Sequence, residues 1–122
     1  MSREILQGRC AEDLALEWLL RRGFVLRERN WHSSHREIDL IMESGRYLHI
    51  VEVKSLKAPA QISPFEQVGR KKQLNLIRAA RNYIFKYKVT KEVRFDIVSI
   101  TFYKERYELE YIPNAFIPMF GI

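Results

Sequence analysis

The stretch Arg36 to Lys54 constrains the fold more than any other, because two apolar runs, Ile38 to Met42 and Tyr47 to Val53, flank Glu43-Ser44-Gly45-Arg46. Branched and aliphatic residues on either side of a short turn containing glycine predict a β-hairpin. Side chains alternate faces along a strand, so Glu37 and Asp39 are expected on one face of the first strand, and Glu52 and Lys54 on one face of the second. A turn centred on Gly45 and Arg46 sets Asp39 opposite Glu52 and Glu37 opposite Lys54. Ile38, Leu40 and Met42, with Val51 and Val53, are assigned to the other face, which implies a sheet covered on both sides.

Carboxylates in such a hairpin need partners, since an unpaired buried charge costs several kcal/mol or neutralises. A hard divalent ion would satisfy Asp39 and Glu52 together, and Lys54 would point at the same place, where an ammonium orients a water or offsets charge on a phosphate. The competing reading is an exposed sheet face on which Lys54 pairs with Glu37.

The chain has 122 residues, the size of one ordinary domain, and we read 1–122 as a single domain. Its hydrophobic share of 47% with 30% charged residues is that of a folded soluble protein. One cysteine, Cys10, excludes an internal disulfide, and no Cys/His cluster spells a zinc site, so a reducing compartment is expected. No run is long and apolar enough to span a membrane, and Met1-Ser2-Arg3-Glu4 lacks the apolar core of a signal peptide; the expected location is cytoplasmic. The net charge of +6 favours polyanionic partners without establishing them.

Ser2 or Arg3 to Arg22 predicts a first helix capped by Gly23. Its apolar arc comprises Leu14, Trp18, Ala11, Ala15, Gly8, Leu19, Leu16 and Leu20, and Glu12 falls inside that arc. Glu12 is thus a candidate third inward carboxylate, the alternative being a surface pair with a nearby arginine such as Arg9. Phe24 to Trp31 predicts a strand, followed by a polar turn in which His32 and His35 are surface residues. After Lys54, Ser55 to Pro64 reads as a loop in which Lys57 could touch a phosphate.

From about Pro64 to Lys86 runs a second helix, with Ser63 as N-cap, Leu76, Ile77, Ala80, Tyr83 and Ile84 as its apolar face, and Lys71, Asn75, Arg78 and Asn82 as its polar face. Lys71 leads the candidates for phosphate contact, with Arg78, Arg70 and Lys57 behind it; a merely solvated face is the alternative for each. Val93 to Phe102 and Tyr107 to Ile112 are two further strands, Asp96 is assigned a structural role, and Pro113 ends the last strand. The apolar tail Asn114 to Ile122 either packs back on the domain or supplies a homodimer contact.

The order helix, strand, hairpin bearing Asp39 and Glu52-Val53-Lys54, helix, strand resembles the core of the restriction-endonuclease-like PD-(D/E)XK nucleases. More closely, the chain is similar to the YraN-like family of uncharacterised bacterial proteins. The residues carrying that similarity are Ala11-Glu12, Arg29-Asn30, Glu37-Ile38-Asp39-Leu40-Ile41, Val51-Glu52-Val53-Lys54, Lys71 and Arg94-Phe95-Asp96-Ile97-Val98. Arg36 stands where that family usually has glycine, and Leu56 where it often has a basic residue.

The resemblance implies an α/β fold with a mixed central sheet of about five strands flanked by helices, in the order α-β-β-β-α-β-β. It implies that Asp39, Glu52 and the Val53 carbonyl bind Mg²⁺ or Mn²⁺, that Glu12 completes the acidic cluster as in the similar Holliday-junction resolvases, and that Lys54 is the catalytic lysine. The function expected is a metal-dependent nuclease acting on DNA, branched or structured. The alternative is a non-catalytic nucleic-acid-binding or assembly module that keeps the nuclease fold.

Overall fold

The computed structural model describes residues 11–58 and 68–117. The elements are α1 (Ala11–Arg21), β1 (Val25–Ser33), β2 (Arg36–Ser44), β3 (Tyr47–Lys57), α2 (Arg70–Tyr87), β4 (Glu92–Phe102) and β5 (Tyr107–Phe116). Their order is the α-β-β-β-α-β-β expected. The expectations for Ser2 to Cys10, for Pro59, Ser63 and Pro64, and for Met119 and Phe120 lie outside the described residues. No described helix is long and apolar enough to cross a membrane.

The five strands form one sheet in the order β1-β2-β3-β4-β5, antiparallel throughout except that β3 and β4 run parallel. A parallel neighbour requires a crossover, and α2 supplies it. The sheet is covered on both faces. Ala11, Ala15 and Leu19, spaced one helical turn apart, pack on Leu40, Met42, Val51, Val98 and Ile100. On the other face Leu76, Ile77, Ala80 and Tyr83 of α2 pack on Ile41, Leu48, Ile50, Phe95 and Ile97. Leu20, assigned to the inward arc of α1, is instead 47% exposed, because the buried stripe is centred on Ala11, Ala15 and Leu19.

Local chemistry explains the boundaries. Gly23 adopts φ +89° and, with Phe24, caps the last carbonyls of α1 through bonds to Leu20 and Leu19. Gly45 at φ +58° lies in the tight turn closed by the Ser44–Tyr47 pair. The first strand runs on past Trp31, because His32 and Ser33 pair with Glu37 and Arg36 around a turn in which Ser34 takes φ +60°. The second helix runs from Arg70 to Tyr87, with Gly69 in extended conformation as its N-cap.

Pro113 does not end β5, which continues to Phe116. The strand lies at the sheet edge, where a missing N–H is tolerated, and the ladder shifts register between Phe95 and Ile97 as Asn114 turns to φ +50°. The start of the apolar tail packs back: Phe116 is buried and stacks on Phe95 with ring centroids 5.2 Å apart.

Candidate metal and phosphate site

The hairpin pairs as its turn requires from Ser44–Tyr47 up to Leu40–Val51, and there the ladder between β2 and β3 stops. One residue further on, Asp39 Oδ2 accepts the backbone N–H of Val53 at 2.8 Å, so a carboxylate replaces a carbonyl in the seam. Alternation along β2 breaks at the same residue. Ile38 packs on the α2 side, whereas Leu40 and Met42 pack on the α1 side, although a regular strand would send all three one way. Asn30, between the pairs Arg29–Leu40 and Trp31–Ile38 on the neighbouring strand, takes φ +52° beside this break. The irregularity aims Asp39 along the seam toward β3.

Glu52 sits on β3 between Val51 and Val53 with only 5% of its side chain exposed. It shares a face with Leu48 and Ile50, the α2 side, and two ammonium groups approach its Oε1: Lys54 Nζ at 3.8 Å and Lys72 Nζ at 3.6 Å. Its other oxygen, Oε2, is buried with no N–H or ammonium donor among the described residues, which leaves the Asp39 carboxyl to share a proton with Glu52.

Burial, and then the Asp39 carboxylate, push the Glu52 carboxyl up to about 8, against the pull of Lys72 and Lys54. Burial also raises Asp39, although the Val53 N–H and Lys72 favour its charged form. Two close carboxyls in a dry site do not both ionise freely, so the pair holds about one proton near neutral pH.

Glu12 lies close enough for Asp39 to raise its carboxyl further, burial being the larger cause and Arg29 opposing both. Its carboxylate is engaged by Arg29 Nε at 3.9 Å. With the Asn30 amide oriented so that its NH₂ group faces the acids, it donates to Glu12 Oε1 at 2.8 Å and to Glu37 Oε1 at 3.1 Å. The structure thus brings Glu12, Glu37, Asp39 and Glu52 into one neighbourhood but divides them into two pairs. Glu37 is not paired with Lys54; its Oε1 lies 3.8 Å from His32 Nε2.

Among the described residues, no group of three or more His, Cys, Asp or Glu side chains is arranged to hold a metal ion. The Asp39–Glu52 pair still fits a hard divalent ion. Such an ion takes oxygens from one or two carboxylates and fills its remaining positions with water and phosphate, and the orphaned Glu52 Oε2 offers one such oxygen. Val53 enters the site through its N–H, the donor to Asp39.

The basic candidates fall elsewhere. Lys57, Arg70, Lys71 and Arg78 are all exposed, and α2 meets Glu52 through Lys72. Lys72 was legible as the residue one turn before Leu76 and two before Ala80, on the buried stripe of α2.

A second polar centre occupies the opposite face. Asp96 accepts Tyr111 Oη at 2.7 Å and the Asn114 N–H at 2.8 Å, and lies 2.7 Å from His49 Nδ1. His49 Nε2 is buried without a hydrogen-bond partner among the described residues, and Phe24 packs on the imidazole at 4.8 Å between centroids. This network ties β3, β4 and β5 together, which is the structural role expected of Asp96. His49 itself escaped notice because a lone histidine in an apolar run has no partner nearby in sequence.

Comparison with known proteins agrees with this reading of the motifs. Residues 11–100 match the profile of the uncharacterised protein family UPF0102, a span that contains Glu12, Asp39, Glu52, Lys54, Lys72 and Asp96. A UPF0102 protein of Bacteroides fragilis is 33% identical over 118 residues, covering 97% of this chain and 98% of the relative. One of Dictyoglomus turgidum is 39% identical over 112 residues, covering 89% and 95%, and one of Anaeromyxobacter dehalogenans is 36% identical over 110 residues, covering 89% and 82%. With a profile match across most of its length and relatives matched over nearly their whole length, the chain belongs to the UPF0102 family, the YraN-like family that its motifs resemble.

Proposed function

We propose that the protein is a Mg²⁺- or Mn²⁺-dependent nuclease-like protein of the restriction-endonuclease-like class, acting on DNA, with branched or structured DNA as the favoured substrate. One observation carries the reading: Asp39 and Glu52 face each other across a broken strand ladder beside Lys54, and Oε2 of Glu52 is buried with no N–H or ammonium donor among the described residues. Two carboxyls that share one proton in a buried seam are costly in a structural role, and they suit one that ends with a cation.

In this reading Asp39 and Glu52 hold the ion, with the Val53 carbonyl as a further ligand and Glu12 completing the acidic neighbourhood. The ion, when bound, polarises a phosphate oxygen and lowers the pKa of a bound water. Lys54, 3.8 Å from Glu52, orients that water or offsets the negative charge that grows on the phosphate. For both carboxylates to hold such an ion, Asp39 and Glu52 would have to give up the proton they share. The exposed Lys57, Arg70, Lys71 and Arg78 hold the backbone of the nucleic acid.

The test is cleavage of duplex, flap and four-way-junction DNA in Mg²⁺ or Mn²⁺ by wild type, Asp39→Ala and Lys54→Ala. Metal-dependent cleavage lost in both variants is expected; equal cleavage by all three overturns the assignment. Glu12 also supports a second reading, because Arg29 and Asn30 already engage its carboxylate. A module that only binds nucleic acid would bind with salt dependence, be indifferent to chelator and turn nothing over.

A further inference from the structure

Two ammonium groups meet at Glu52 Oε1, Lys54 from its own strand and Lys72 from α2, and Lys72 also favours the charged form of Asp39. The two are not equivalent. Lys54 is 27% exposed and anchored two residues away on β3, whereas Lys72 is 42% exposed and reaches in from the first turn of a helix.

Lys72 stands at the positive end of the helix dipole, in a first turn that holds no acidic residue of its own and whose N-cap, Gly69, has no side chain to cap it. Glu52 offsets the charge of Lys72 only while that carboxylate has nothing better to bind.

We propose that Lys72 is an exchangeable second cation of the site, which holds Glu52 while no metal is bound and passes to a phosphate of the nucleic acid once a divalent ion takes that carboxylate. The inference rests on the reading of Asp39 and Glu52 as metal ligands and deepens it by coupling metal binding to phosphate binding through one side chain. An ion between the two carboxylates leaves positive charge in excess beside Lys72. The ammonium, on a flexible four-carbon stem, then turns outward, where a phosphodiester is the anion available to the basic first turn of α2.

Two measurements on the full chain test this, with Lys104→Gln, on the exposed turn between β4 and β5, as the control and thermal melts to establish that each variant is folded. The first is Mn²⁺ titration calorimetry under nitrogen at a pH of about 8.5, where protons compete little for the carboxylates. Lys72→Gln should bind Mn²⁺ about threefold to tenfold more tightly than wild type, because a competing cation is gone. A lysine that merely positions Glu52 would give weaker binding on removal, and that result overturns the proposal. The second is fluorescence anisotropy of labelled duplex and four-way-junction DNA in EDTA and in Ca²⁺. Ca²⁺ should tighten binding by wild type and Lys104→Gln but not by Lys72→Gln, whose salt slope in Ca²⁺ should be lower by about one. A full Ca²⁺ gain in Lys72→Gln overturns the inference alone; wild type that binds neither Mn²⁺ nor DNA overturns the functional reading and the inference with it.

Discussion

Replacing Glu52 by glutamine should stabilise the protein, and more so as pH rises. The buried carboxyl is held at about 8 in the folded chain, whereas an exposed glutamate titrates near 4.5. Between those values the folded state binds the proton that the unfolded state has released, so the stability associated with Glu52 is complete below about 4.5 and is lost as pH climbs through 8. Linkage puts the loss at about 1 kcal/mol at pH 5, about 3 kcal/mol at pH 7 and nearly 5 kcal/mol at pH 9. These figures are ceilings, because Asp39 shares the proton and both lysines soften the penalty. Glutamine keeps the shape and an acceptor for Lys54 and Lys72 and removes the ionisation. Urea unfolding of wild type and Glu52→Gln in EDTA at pH 5, 6, 7 and 8 should therefore give curves that separate with pH, the variant gaining at least about 1 kcal/mol on wild type from pH 5 to pH 8. Parallel curves, or a variant that falls behind as pH rises, would refute the claim that burial strains this carboxylate.

Other outcomes follow from the same geometry. Mn²⁺ binding at pH 7 should release about one proton per ion, seen as a dependence of the calorimetric heat on the ionisation enthalpy of the buffer, and the release should fade above pH 9. Asp96→Ala should cost about 3–5 kcal/mol in urea unfolding, since it strands His49, Tyr111 and the Asn114 N–H together; a loss under 1 kcal/mol would mean that the network adds little. Gly23→Ala should cost about 1 kcal/mol in the same assay, from φ +89° alone, because no heavy atom lies within 4 Å of the added Cβ.

The hairpin was the most legible part of the chain because its register depends on one turn and on alternation, both local properties. The pairing of Leu40 with Val51 is the one that a turn at Gly45 and Arg46 demands. What local rules could not show was the break at Asp39, which depends on Asn30 of another strand adopting φ +52° and on the ladder giving way to a side chain. The break moved Ile38 to the α2 side and turned a plain acidic face into a seam that holds a carboxylate.

Lys71 stands out in the sequence because it sits early in the helix that follows the loop after Lys54, yet Lys72 is the residue that meets Glu52. The contact with Glu52 comes from the edge of the buried stripe of α2, where a long side chain can run along apolar neighbours and still present its charge. His49 and Asp96 are far apart in sequence and meet only because β3 and β4 are parallel neighbours, a pairing that no local periodicity encodes. Pro113 misled for the complementary reason: a proline halts a central strand, but β5 lies at an edge.

The account turns on whether Asp39 and Glu52 act together on a cation. Mn²⁺ binding followed by the loss of the free-ion electron paramagnetic resonance signal, in wild type, Asp39→Ala and Glu52→Ala, addresses that most directly. The predicted result is about one ion bound per wild-type chain and affinity reduced at least about tenfold in each variant. Undiminished Mn²⁺ binding in both variants, or no binding by wild type, would contradict it.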